Sequence, residues 1–291
     1  MSDSASNRRS GDLPGNCVLI TGATKGIGLA TARLFHERGF AVVAAGRDLE
    51  SVRPLEGPRF LPVYMDVTDH DSVAVAVEAA IAKFGCVAVL VNNAGVGFHG
   101  PIDSVATAEL REQFEVNVFG VHRVTAAVLP HIPKGGRIIN ISSAAGRISL
   151  PHMGPYCASK FALEALSDAM RVELRPREIR VVLIEPGPVA TAFGENSERD
   201  RRLLREKLDL ENPDGRLVKA RGRSEELQRR WRRNLEFFRC EPEKVATVVF
   251  RAATSRRPKA RYRITLPAWG AELGRLLPSP LFDWLGARAT R

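Results

Sequence analysis

Tyr156 and Lys160 stand four residues apart in GPYCASKFALEALSDAMRVEL. Apolar residues recur there at three- and four-residue spacing, so the stretch reads as a helix with both side chains on one face. A phenol of pKa about 10 exchanges protons poorly at neutral pH, but a nearby ammonium favours the phenolate and lowers that pKa. The pair is therefore equipped to give a proton to, or take one from, an oxygen. Ser143 lies upstream, just past a β-branched run, where its hydroxyl can hold such an oxygen while charge develops on it. Ser142 is an adjacent rival, and a lone serine after a strand serves a turn equally well.

A second constellation sits near the N-terminus. An apolar run leads into TGATKGIG, with Gly22, Gly26 and Gly28 spaced G-x-x-x-G-x-G, Thr24 and Lys25 between them, and Ile27 opening a helical pattern. Bare backbone at such positions lets a pyrophosphate reach the loop amides and the positive helix end. A tight strand-to-helix turn is the plainer use of the same glycines. The end of the next strand should choose between NAD and NADP, because an acid there bonds the ribose 2'-hydroxyl and repels a 2'-phosphate. Here that position falls on Gly46, followed by Arg47, with Lys25 inside the loop. These two cations favour NADP over NAD, and Asp48 next door weighs against them.

These groups need a scaffold. Apolar runs at Cys17 to Thr21, Ala41 to Ala45, Arg59 to Tyr64, Val87 to Asn92, Arg137 to Ser142, Arg180 to Glu185 and Tyr262 to Leu266 alternate with helical patterns at Ile27 to Arg38, Asp69 to Phe84, Thr107 to Leu129 and Tyr156 to Leu174. Alternation of this kind predicts an α/β fold, a doubly wound Rossmann-type domain with about seven parallel strands and helices on both faces. Asp69 is placed to cap the second helix. The chain has 291 residues, 44% hydrophobic and 26% charged, which suits one large globular domain spanning 16–291 after a flexible leader at 1–15. Four scattered cysteines without a C-x-x-C pair fit a reducing compartment. The polar N-terminus and the lack of a long apolar run make the cytoplasm the default. The six histidines show no spacing that resembles a metal site.

Taken together, TGATKGIG, NNAG at Asn92 to Gly95, Asn117, Ser143, Y-x-x-x-K and the PGPVAT stretch from Pro186 to Thr191 resemble the short-chain dehydrogenase/reductase family, in order and spacing across about residues 15 to 193. The resemblance implies that Tyr156 exchanges the proton and Ser143 polarises the carbonyl. It implies further that Lys160 binds the nicotinamide ribose and depresses the tyrosine pKa, and that Asn117 holds a water in a relay to Lys160. By the same resemblance Asp66 and Val67 would touch adenine, and Asn93, Ala94 and Gly95 would pass the cofactor ribose. Pro186, Gly187, Val189 and Thr191 would lie on the nicotinamide side. Read without the family, Asn117 caps a kink, Asp66 begins a helix cap and PGP is a loop breaker.

The segments expected around the nicotinamide carry Val96, Phe98, Ile148, Leu150, Met153 and Phe193, which suits a lipophilic alcohol or ketone. Phe98, Ile148, Met153 and Phe193, with Ser143 and Tyr156, are the expected substrate contacts. GRISLPHMGPYCASK and SDAMRVEL look most like the hydroxysteroid and retinol dehydrogenase branch, which implies steroid-, retinoid- or lipid-like compounds. The charged stretch at 194–240 has apolar stripes, Leu203, Leu204 and Leu208 with Leu227, Trp231, Leu235 and Phe238, and reads as a substrate lid or as a solvated helical hairpin. The net charge of +10 raises nucleic acid as a partner, but acids are interleaved with the arginines and no recognition module is present. The C-terminal extension at 267–291 ends in LLPSPLFDWLGARATR, open to a membrane surface, to packing on the protein or to a subunit contact, the membrane being the least favoured. The family implies a homo-oligomer, a dimer or tetramer. Two other readings stand beside the NADP-dependent one: an NAD-linked alcohol dehydrogenase, and a catalytically idle NADP-binding protein.

Overall fold

The computed structural model describes residues 13, 15–207 and 237–289. Most of the expected leader, residues 208–236 of the charged stretch with Leu208, Leu227, Trp231 and Leu235, and the last two residues lie outside the described residues.

Strands that are apolar without alternation must be covered on both faces, and this is how they are used. β1 (Cys17–Thr21), β2 (Ala41–Gly46), β4 (Val89–Asn92) and β5 (Arg137–Ile141) are buried along their whole lengths. With β3 (Phe60–Tyr64), β6 (Arg180–Glu185) and β7 (Arg261–Arg263) they form a seven-stranded parallel sheet in the order β3-β2-β1-β4-β5-β6-β7. The chain reverses its direction of travel between β1 and β4. Ligands of open α/β sheets bind beyond the carboxyl ends of the strands at such a point.

Nine helices are assigned among the described residues: α1 (Gly26–Glu37), α2 (His70–Phe84), α3 (Thr107–Phe114), α4 (Gly120–Val128), α5 (Gly154–Glu173), α6 (Phe193–Lys207), α7 (Pro242–Thr254), α8 (Leu266–Gly274) and α9 (Ser279–Ala289). Ala32 and Phe35 of α1 and Val245, Val249 and Ala252 of α7 pack on one sheet face with Val18, Val42 and Val89. Val73 and Val77 of α2 and Val124 and Val128 of α4 cover the other with Leu19, Val43 and Leu90. None of these helices is long and apolar enough to cross a membrane.

Three expectations change. The helix expected over Thr107 to Leu129 is broken into α3 and α4 by a π-helical turn at Glu115–Phe119, and Gly120 lies so close to Val67 that a Cβ there would stand 2.8 Å from its methyl group. The last strand ends at Arg263 rather than Leu266, because α8 begins at Leu266 with a proline in its first turn. The helix α7 was missing from the expected elements, although Pro242 and the buried series Val245, Val249, Ala252 carry a helix start and a helical period.

Candidate active site

The carboxyl end of β1 turns directly into α1. Gly22 and Gly26 have φ of 61° and 52°, left-handed values that favour glycine. At Gly28 a Cβ would stand 2.1 Å from the Gly22 carbonyl oxygen, so the turn closes only on bare backbone. The Asn93 amide donates to the carbonyls of Thr21 and Gly22 at 2.9 and 3.0 Å, and the amides of Asn93 and Ala94 donate to the Thr21 hydroxyl at 3.0 Å each. This fixes the loop to the end of β4. A comparison of two helix starts tests whether the loop suits a dinucleotide. Asp69 caps α2 by accepting from the amides of Asp71 and Ser72, whereas α1 has no side-chain cap and no acid in its first turn. Its first amides are thus left for an anion, as a pyrophosphate requires.

Ser143 lies two residues past the end of β5 and accepts from the Ala145 amide at 3.1 Å. Its hydroxyl acts on the Tyr156 phenol and favours the phenolate, while the Ser142 side chain is buried without a partner near Gly146. Of the two rivals, Ser143 is therefore the one that meets the phenol. Lys160 donates to the Ile141 carbonyl at 2.9 Å, with its nitrogen 5.8 Å from the centre of the Tyr156 ring. Burial pushes the Lys160 ammonium down to about 8, against the pull of Glu164 one turn along. Burial likewise pushes the Tyr156 phenol up to about 12, and Ser143 works in the opposite direction. The depression expected from the lysine does not show in the protein alone, where desolvation dominates and leaves Tyr156 a neutral proton donor.

Asn117 lies in the π-helical turn and is fully buried. Its side chain accepts from the Val96 amide at 2.9 Å and donates to the Val96 carbonyl at 2.8 Å and to Ser159 at 3.0 Å. Ser159 donates in turn to the Tyr156 carbonyl, so Asn117 braces the loop after β4 against α5. Gly95 separates it from the lysine: a Cβ there would be 3.1 Å from Asn117 Oδ1 and 3.9 Å from Lys160 Nζ. The loop after β6 is held by Cys240, whose amide donates to Pro188 and whose carbonyl accepts from Ala190. This pairing brings Val189 beside Cys240 and lays Thr191 3.0 Å from the position of a Cβ on Gly26. Gly187 is packed on Thr265. Asp66 accepts from the amide and hydroxyl of Thr68, a turn of its own, and the Val67 carbonyl accepts from Arg123.

At the far end of the loop, Gly46 packs on Thr24, where a Cβ would meet the threonine methyl at 2.8 Å. A larger residue, acidic or not, has no room. Lys25 pairs with Asp48 at 3.3 Å, and Arg47 pairs with Asp200 of α6 at 2.8 Å. Asp200 holds the Arg47 guanidinium above its ordinary pKa, although burial works against it.

On the substrate side, Phe193 and His99 flank Tyr156, with ring centres 6.1 and 5.5 Å away. Ile148 and Met153 are half-buried in the segment leading into α5. Phe98, at 1% exposure, packs in the core with residues of α2 and α4, and its neighbour His99 lies beside the phenol. α6 is anchored by Glu109 of α3, which is fully buried and accepts from Arg201 at 2.6 and 3.2 Å and from Arg205. Those arginines hold its carboxyl down at about 2 despite burial. Ser197 accepts from the Gly97 amide at 2.9 Å.

Two further arrangements were not anticipated from the sequence. Asn92 donates to Thr125 and Asn140, and Asn140 to Ser167, a buried polar ladder crossing from α4 through the sheet to α5. Near the end of β6, Arg147, Arg261 and Arg263 interlock with Glu164, Glu185 and Glu272, and Arg261 also binds Asp168 with two bonds of 2.8 Å. Glu164 sits one turn after Lys160, the only sequence signal for it.

The switch point of the sheet, a glycine-closed turn under an uncapped helix and a tyrosine and lysine one turn apart on α5 suit a dinucleotide-binding oxidoreductase. The family model for short chain dehydrogenases matches residues 16–202, and the chain belongs to that family. It is 38% identical over 287 residues to the uncharacterized oxidoreductase YbbO of Escherichia coli K12, covering 97% of this chain and 98% of the relative. A 3-ketodihydrosphingosine reductase of Bacteroides thetaiotaomicron is 34% identical over 256 residues, 85% of this chain and 87% of that one. Among solved structures, a short chain dehydrogenase/reductase from Burkholderia phymatum in complex with NAD aligns with a TM-score of 0.75 at 28% identity, over 89% of this chain and 92% of the other. A short chain dehydrogenase from Burkholderia cenocepacia in complex with NADP aligns with 0.70 at 25%, over 96% and 98%.

Proposed function

We propose that the chain is an NADP(H)-dependent oxidoreductase acting between a carbonyl and a secondary alcohol of a lipophilic, lipid-like molecule. The observation that carries this reading is the placing of Tyr156 and Lys160 on one turn of α5 at the carboxyl edge of the sheet, the lysine nitrogen 5.8 Å from the phenol ring, next to the glycine-closed turn. The cofactor supplies or accepts the hydride. The loop from Gly22 to Gly28 and the start of α1 would hold its pyrophosphate, and Asp66 and Val67 its adenine. Asn93 to Gly95 and Lys160 would hold the nicotinamide ribose, and Pro186 to Thr191 the nicotinamide side.

In reduction, Ser143 donates to the substrate oxygen and orients it, and Tyr156 delivers the proton as negative charge builds there. A phenol pushed up to about 12 is fully protonated at neutral pH, ready for that direction. Lys160, with a pKa of about 8, carries positive charge at neutral pH and supports the phenolate left behind. Asn117 keeps α5 and the loop after β4 in register, and with Lys160 borders the space that Gly95 leaves open for a relay water.

NADP is favoured because Gly46 leaves no acid for a 2'-hydroxyl while Arg47 and Lys25 stand beside it. Phe193, Ile148 and Met153 give the substrate side an apolar character, and the sphingosine-type ketone named for one relative fits it. The test mixes the protein with NADPH or NADH and a panel of lipophilic ketones that includes long-chain amino ketones, and follows absorbance of the reduced cofactor. Turnover with NADPH is the expected result. Tight NADPH binding without turnover on any ketone would make it an idle binding protein, and equal use of NADH would point to the NAD-linked alternative.

A further inference from the structure

α8 and α9 turn their large apolar residues outward. On α8, Ala268 and Ala271 are buried, and Glu272 is held by Arg147 and Arg263. Beside it run Leu266, Trp269, whose outer part stays exposed while the Arg263 guanidinium lies 5.0 Å from its ring centre, and Leu273, continued by Leu276 in the turn that follows. Steps of three and four residues keep them on one face. On α9 the same spacing aligns Leu281 and Trp284 with Arg288, whose guanidinium lies 4.6 Å from the Trp284 ring centre. All six apolar side chains are at least 45% exposed, and Leu276 reaches 79%. Scattered exposed leucines need no account, but rows of leucine and tryptophan on adjacent helices mark an interaction surface.

We propose that this surface docks the protein on an anionic lipid bilayer. Tryptophan and arginine together suit a lipid interface, where the indole lies at headgroup depth and the guanidinium reaches the phosphates. The exposed charges on the two helices are Arg275 and Arg288 against Asp283, since Glu272 is already matched by two arginines. A negative surface complements that balance. The position of the helices gives the docking a use. A Cβ on Gly274 would be 3.6 Å from Ile148 and one on Gly286 3.9 Å from Pro151, so both helices border the loop that leads to Tyr156. Where the proposed function holds, a lipid-like substrate is dissolved in the surface this face would touch. With no spanning helix among the described residues, the attachment is interfacial.

The experiment floats the full chain, without cofactor or substrate, on vesicles of phosphatidylcholine alone or mixed with phosphatidylglycerol. Binding to the mixed vesicles is expected, weakening as salt screens the arginines. The variant Leu273→Ser, Leu276→Ser, Trp284→Ser should lose about tenfold or more of its partitioning, in proportion to the apolar area removed. Its NADPH binding should match the parent, showing that it is folded. The variant Arg275→Gln, Arg288→Gln should flatten the salt dependence. Equal flotation of parent and triple variant overturns the proposal, as does an unbound parent. A parent that ignores vesicles but is a dimer that the triple variant splits would assign the face to a second copy. Ketone reduction measured in detergent reads the redox proposal separately, so either can fail alone.

Discussion

On the cofactor side of the crevice, position is set by what is missing: no Cβ on Gly22, Gly26 or Gly28, no acid at Gly46, no cap on α1. On the substrate side it is set by added charge, with Glu109 gripping Arg201 and Arg205 and Arg47 reaching across to Asp200. The first kind of positioning is local and rigid, because a turn that closes on bare backbone has one solution. The second is long-range and conditional, since a buried ion pair is strong only while both partners are present. A protein built this way keeps its glycine loop fixed while the hold on α6 depends on ion pairs that can be exchanged.

The comparison breaks most visibly at the phenol the two sides share. Tyr156→Phe should lower kcat by about 10²–10⁴-fold while NADPH binding, followed by cofactor fluorescence, stays within about twofold. Comparable loss of binding would mean that the tyrosine positions rather than reacts. Glu109→Gln should destabilise the α6 anchorage by about 3–5 kcal/mol, read as faster hydrogen exchange over residues 193–207 with little change in cofactor affinity. The carboxyl of Glu109 is held at about 2 against an ordinary 4.5. Its contribution is thus complete above the ordinary value and fades as pH falls towards 2; exchange over α6 should stay slow at pH 5 and quicken only in stronger acid. Arg47→Ala should weaken NADPH by about 10–100-fold, the worth of charge-assisted bonds to phosphate, and leave NADH nearly unaffected; equal loss for both would remove the case for NADP. Asp200→Asn should have the smallest effect, tightening NADPH by a few-fold at most, since the pair it dissolves is partly exposed and worth about 1 kcal/mol or less. A titration at two salt concentrations would show that gain shrinking.

What the sequence made legible follows the same division. The parallel sheet, the glycine loop and the helix carrying Tyr156 and Lys160 were readable because strand runs, turns and helical periods are set by residues close in the chain. The grip of Glu109 on Arg201 was not, with 92 residues between them, nor was the cluster joining Glu164, Glu185 and the arginines of β7. Phe98 and His99 show the limit at finer scale: both lie in one loop after β4, and only its path decides which side chain enters the core and which faces Tyr156. A kink at Asn117 was one reading of the sequence, but its π-helical form was hidden because such a turn keeps a helix-like composition while adding one residue to the turn.

Arg47 can serve Asp200 or a phosphate monoester, but one guanidinium cannot serve both at full strength. If the dinucleotide carries that phosphate, its arrival releases Asp200 in the middle of α6 and leaves the adjacent Arg201 held by the buried carboxylate of Glu109. α6 would then rest on fewer ion pairs in the loaded protein than in the empty one, and cofactor binding would be felt along the helix that carries Phe193.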